Sequence, residues 1–218
     1  MKTILAATAL LLFAVPSMAE PETHQAAPSR FEIWMDASSW PALGDLQPLA
    51  AGNFDTVGLG LGFALHVPVA QFDHSELLLG VDGFINGTMS NVRGTIDELI
   101  ARNLYLGASA KWAFGRGFQL DAGLGYHLAD MAQVSTRYLG LEQQSWEASR
   151  LGTFVGATWD VWAGREDRQS GLFLALKVHF VDFGTVRDED PLLGPLLGPD
   201  AGQLEGPIYM LQVGYSWR

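Results

Sequence analysis

Large hydrophobic residues recur at every second position along most of the chain from residue 31 onward, which is the spacing of a strand with one apolar face. Phe31, Ile33, Met35 and Ala37 share one side, against Glu32, Trp34 and Asp36. Val57, Leu59, Leu61, Phe63, Leu65 and Val67 repeat the pattern against Gly58, Gly60, Gly62, Ala64 and His66. Six further segments follow, at 76–86, 104–114, 118–128, 150–161, 172–181 and 208–217. Segments of about ten residues match what a tilted strand needs to cross a hydrocarbon layer.

The contrast between the two faces decides which one points inward. One is almost purely aliphatic and aromatic, whereas the other is glycine, alanine and scattered charge. An eight-stranded barrel has an interior just wide enough for side chains to fill it, so the large face would overfill it. The expectation is therefore an all-β fold: an eight-stranded antiparallel transmembrane β-barrel, an up-and-down meander over residues 31–218. The large residues meet lipid, and the sheet closes because an open edge cannot be satisfied in hydrocarbon. The connections alternate in length. Those at 38–56, 87–103, 129–149 and 182–206 are long, and those at 68–75, 115–117 and 163–170 are short. Long loops at one end and short turns at the other put both termini at the short-turn, periplasmic end.

Composition narrows the class. The 218 residues carry 13 Lys and Arg against 24 Asp and Glu, a formal net charge of -11, which disfavours nucleic acid as a partner. Cysteine is absent, so disulfides, thiolate metal sites and thiol nucleophiles are excluded. Lys2 precedes a short apolar run, Ile4 to Val15, which Pro16 ends, and Ser17-Met18-Ala19 offers small residues before a cut after Ala19. Residues 1–19 are thus predicted to be a secretory signal peptide and 20–30 a flexible periplasmic leader.

The signal, the eight alternating segments and the closing Tyr209-x-Leu211-x-Val213-x-Tyr215-x-Trp217 run resemble the small outer-membrane β-barrel superfamily of the OmpA/OmpX type. The resemblance covers about residues 31–218. It implies a Gram-negative outer-membrane location, surrounding lipid, insertion by the barrel-assembly machinery, and a monomer. In that superfamily the last residue is usually aromatic; here Arg218 follows Trp217. No peptidoglycan-binding domain is expected after the barrel.

Candidate chemistry lies mostly on the inward face. It holds Glu32, Asp36, Glu76, Asp82, Asp121 and Asp160, facing Lys111, Arg150, Lys177, His66, His127 and His179. A hairpin symmetric about Arg116 sets Lys111 opposite Asp121. Asp82 is predicted to reach Lys111, and Asp160 to pair with Lys177. Buried charges must pair or cost several kcal/mol each. The expectation is a salt-bridged lumen network of Asp82, Lys111, Asp121, Arg150, Asp160, Lys177 and His179 that plugs the barrel; a narrow pore for ions or small solutes is the alternative. A lipid-modifying enzyme is a third reading, with His127 near Ser145, Glu147 and Ser149, or His179 near Asp182, as raw material for a nucleophilic set. An aromatic girdle is predicted from Trp112, Phe114, Phe118, Trp159, Tyr215 and Trp217 at the short-turn end, with Tyr105, Tyr126, Phe180 and Tyr209 toward the other.

No cofactor or metal is expected. Gly58-x-Gly60-x-Gly62 lacks the spacing of a dinucleotide site, and no helix follows it. A short loop helix is predicted over Thr95–Arg102, and the Pro-Leu-Leu-Gly repeat within Arg187–Pro207 offers exposed leucines. The function predicted is non-catalytic, structural or surface-interacting, with any extracellular partner met at the loops.

Overall fold

The computed structural model describes residues 29–46, 57–91, 98–114, 117–135, 141–161, 170–186 and 202–217. The first 28 residues, with the predicted signal and most of the leader, lie outside them. Eight antiparallel strands form a closed barrel in sequence order: β1 Arg30–Ser39, β2 Val57–Phe72, β3 Ser75–Asn91, β4 Glu98–Phe114, β5 Phe118–Ser135, β6 Leu141–Asp160, β7 Ser170–Val186 and β8 Gly202–Trp217. β1 closes the ring by pairing with β8 from Phe31–Trp217 to Ser39–Tyr209.

The alternation sets the faces. Leu59, Leu61, Phe63, Leu106, Leu124, Leu151, Val155, Leu176, Leu211 and Val213 all point outward and are exposed, while Glu32, Trp34, Ala64, His66, Tyr105 and Met210 are buried inside. A surface this apolar, wrapped round a charged interior, is stable against hydrocarbon rather than water.

The strands run longer than the sequence pattern suggested. β6 has 20 residues and β5 has 18, where about ten span the hydrocarbon. The added length continues the ladder at the long-loop end: β3 pairs with β4 up to Asn91–Glu98, and β5 with β6 up to Ser135–Leu141. The predicted loop helix is therefore corrected, because Glu98–Arg102 is strand, paired on both sides through Ala101 and Arg102. Much of the predicted loop is therefore sheet, including Glu98–Asn103, Ala129–Ser135 and Leu141–Ser149. At the other end, Asp73 and His74 alone join β2 to β3.

Inward glycines make room for large interior rings. A Cβ on Gly62 would stand 2.3 Å from Trp34, and one on Gly107 would stand 2.1 Å from the Tyr105 hydroxyl. A short 3-10 helix after β1, Pro41–Leu46, folds over the long-loop mouth. Its Leu43 is fully buried, Trp40 packs 5.3 Å from Phe183, and Leu204 of β8 is equally enclosed.

Candidate functional site: the barrel lumen

The lower lumen, toward the short turns, is built from charges that reach across it. Lys111 on β4 donates to both carboxylate oxygens of Glu32 on β1, at 2.9 and 2.7 Å. Glu32 also takes Arg30, whose Nε lies 2.6 Å away. Arg30 stands 3.7 Å from Asp160, and Gln119, with its amide oxygen turned toward the guanidinium, accepts from it at 2.6 and 3.0 Å. Lys177 on β7 donates to Asp82 on β3 at 2.5 Å and lies 3.9 Å from Asp121. Thr158 donates to Asp121 at 3.0 Å. The Lys177 ammonium is also 4.7 Å from the Phe154 ring centre and 5.1 Å from that of Trp34. β3 and β7 are diametrically opposite in an eight-stranded ring, so this pair bridges the full lumen.

Pairing across the lumen corrects the expected partners. Lys111 and Asp121 do face each other in register, but the Lys111 ammonium goes to Glu32. Asp82 takes Lys177 rather than Lys111, and Asp160 takes Arg30 rather than Lys177. Strands of a closed barrel tilt against its axis, which brings residues from far sides of the sheet to one height. Arg30 was read as leader, yet it shares the inward parity of Glu32 and is 1% exposed; extending the alternation one step back would have found it.

Two predicted members are not in the charge network. Arg150 has inward parity but is exposed, and its Nη1 donates to the Ser149 carbonyl at 2.9 Å. His179 lies above the charges, in a layer of rings with Phe84, Tyr105, His127 and Phe154. It stacks on Phe154 at 4.9 Å, and neither ring nitrogen has a hydrogen-bond partner. His127 Nδ1 contacts the Asn103 amide oxygen at 3.2 Å, which makes it the proton-bearing nitrogen, while Nε2 is unpartnered. Tyr105, expected in the outer girdle, belongs to this layer too, stacked on Phe84 at 5.2 Å.

The expected nucleophilic sets do not assemble. Ser149 and Glu147 are exposed on the outer side of β6, whereas His127 is buried inside. Asp182 is exposed and accepts from the Gly184 amide at 2.8 Å, away from His179; the Ser145 side chain lies outside the described residues. A different trio, unforeseen in the sequence, does meet. Ser109 donates to Asp82 at 2.6 Å, and His66 Nε2 contacts both Ser109 at 2.9 Å and Asp82 at 3.3 Å. In a working triad the carboxylate would hold the other ring nitrogen. Here Nδ1 is unpartnered, and the serine spends its proton on the carboxylate. Chemically this is a polar clamp that supports Asp82. Among the described residues no cluster of three or more potential metal ligands occurs.

The girdle candidates all sit on the outer face near the short turns. Trp112 stacks on Phe114 at 5.1 Å, Phe114 lies 6.2 Å from Phe118, and Tyr215 meets Trp217 at 4.8 Å. Trp159 is exposed beside them, in register with Phe118.

No family model matches the chain, and no curated protein matches it by sequence. Among solved structures, Ail, the attachment invasion locus protein of Yersinia pestis, was determined in complex with the heparin analogue sucrose octasulfate. It aligns with a TM-score of 0.47 at 10% identity, covering 87% of this chain and 96% of that one. Neisserial surface protein A aligns at 0.49 and 9%, covering 89% and 99%. The eight-stranded architecture described above rests on this chain's own strand pairing.

Proposed function

We propose that this chain is a monomeric outer-membrane barrel whose lumen is closed, and that it acts without catalysis through the surface it presents beyond the membrane. The observation that carries this is the burial of the lumen charges. Arg30, Glu32, Asp82, Lys111, Asp121 and Lys177 are each 5% exposed or less. Charges lining a conducting path would face water. These face one another, with an aromatic layer and a folded-over helix above them. What remains accessible is the lipid-facing wall and the strand extensions with their connections, where Arg102 and Asp130 form a bidentate ion pair on the outside.

The same reading has the signal cut after Ala19, residues 20–29 left as a periplasmic leader ahead of Arg30 in β1, insertion by the barrel-assembly machinery, and aromatic belts at both interfaces. Tyr126, Phe180 and Tyr209 form the outer belt, since all three point outward near the long-loop end. Fractionation tests it. The protein should enter the outer-membrane fraction, begin at Glu20, migrate faster unheated than boiled, and be cut by external protease on intact cells only beyond the outer belt. Recovery in the aqueous phase after detergent extraction would overturn it.

A further inference from the structure

The barrel wall is not sealed along its whole height. β6 and β7 pair only from Thr153–Phe180 down to Asp160–Phe173, although both strands continue past that point. Among the described residues, β6 up to Gly152 is laddered to β5 alone, and β7 from Val181 to β8 alone. Two strand edges therefore face each other across a split, each with backbone donors and acceptors that no neighbouring strand takes.

The split opens at the outer belt. Phe180 lies at its base, and Leu151, in register with Tyr126, faces lipid beside it. Gly152 is its floor: a Cβ there would be 3.0 Å from the Phe180 carbonyl and 3.1 Å from His127 Nε2, the nitrogen with no partner. Arg150 stands at the mouth. Its Nη2 reaches across to 3.8 Å from where a Cβ on Gly184 would be, and Gly184 holds the left-handed φ of 79° at a break in β7. The nearby Asp182 carboxylate is turned to the Gly184 amide.

We propose that this split binds the phosphate-bearing head group of an outer-leaflet lipid, with Arg150 as its anion-binding residue; the assignment rests on the barrel lying in the outer membrane. The exposed Arg150 guanidinium, with Nη1 donating to the Ser149 carbonyl, keeps N–H groups for a phosphate beside the unpaired strand edges, and the aromatic belt is the height at which head groups lie. The lipid's chains would run down the apolar wall formed by Leu151 and Phe180.

Amide NMR of the refolded chain in maltoside micelles tests this, with dihexanoyl phosphatidic acid as probe. The expected result is saturable shifts at Gly152 and Gly184, affinity reduced at least tenfold by Arg150→Gln, and no such shifts with dihexanoylglycerol. A second variant, Leu151→Cys with Asp182→Cys, zips the split by a disulfide in a chain that has no other cysteine, and should abolish binding when oxidised and restore it when reduced. Unchanged binding in either variant, no saturable shift, or equal affinity for inorganic phosphate alone would overturn the proposal. Heat-modifiable mobility of every sample keeps a failed slot distinct from a failed barrel.

Discussion

The lower and upper halves of the lumen fill the same cylinder by opposite means. Below, the two buried ammonium groups are each matched by a carboxylate reached across the lumen: Lys111 to Glu32, Lys177 to Asp82. Above, rings pack on rings, and the polar atoms of His179, His127 Nε2 and the Tyr105 hydroxyl have no hydrogen-bond partner. The lower half is held by charges that cannot be removed singly. The upper half is held by shape, so its histidines are replaceable by rings of similar size.

Substitutions can break or sharpen that contrast. The largest effect is expected from Lys177→Met. It leaves Asp82 buried without its ammonium, and breaking such a pair costs about 3–5 kcal/mol; urea unfolding in lipid vesicles, followed by tryptophan fluorescence, measures it. A cycle of Glu32→Gln and Lys111→Met comes next. Residues of one ion pair couple by roughly 0.5–3 kcal/mol, so the double variant should be more stable than the two single losses added together. Strict additivity would mean the pair is not felt. Gly107→Ala probes the upper half by shape, since the new methyl collides with Tyr105; overpacking of this kind costs about 1–3 kcal/mol in the same assay. His179→Phe should matter least, changing stability by less than about 1.5 kcal/mol, because it keeps the ring contacts and removes two unpartnered nitrogens. If His179→Phe proved as damaging as Lys177→Met, the two halves would not differ in kind.

The barrel and its inward face were legible because the strand period is two and the lipid face tolerates little but large apolar groups. Parity alone put Glu32, Asp82, Lys111, Asp121 and Lys177 inside. Their partners were not legible. Cross-strand register, which a hairpin reveals, set Lys111 opposite Asp121, but the ammonium bonds across the lumen to Glu32, and that depends on strand tilt. Arg150 shows a second limit. Its parity points inward, but the ladder between β6 and β7 stops short of it, and no local pattern signals where a ladder ends. The long segments between apolar runs were illegible as strand for a related reason: past the apolar band of the wall a paired strand no longer needs an apolar face, so Ala129–Ser135 and Leu141–Ser149 are sheet without the signature.

The closed lumen is tested most directly by electrical recording from the refolded, heat-modifiable chain in planar bilayers bathed in concentrated potassium chloride. The account predicts a folded, inserted protein with no resolved conductance steps. Reproducible ohmic steps from the same preparation would contradict it, because the buried charges would then line a path for ions.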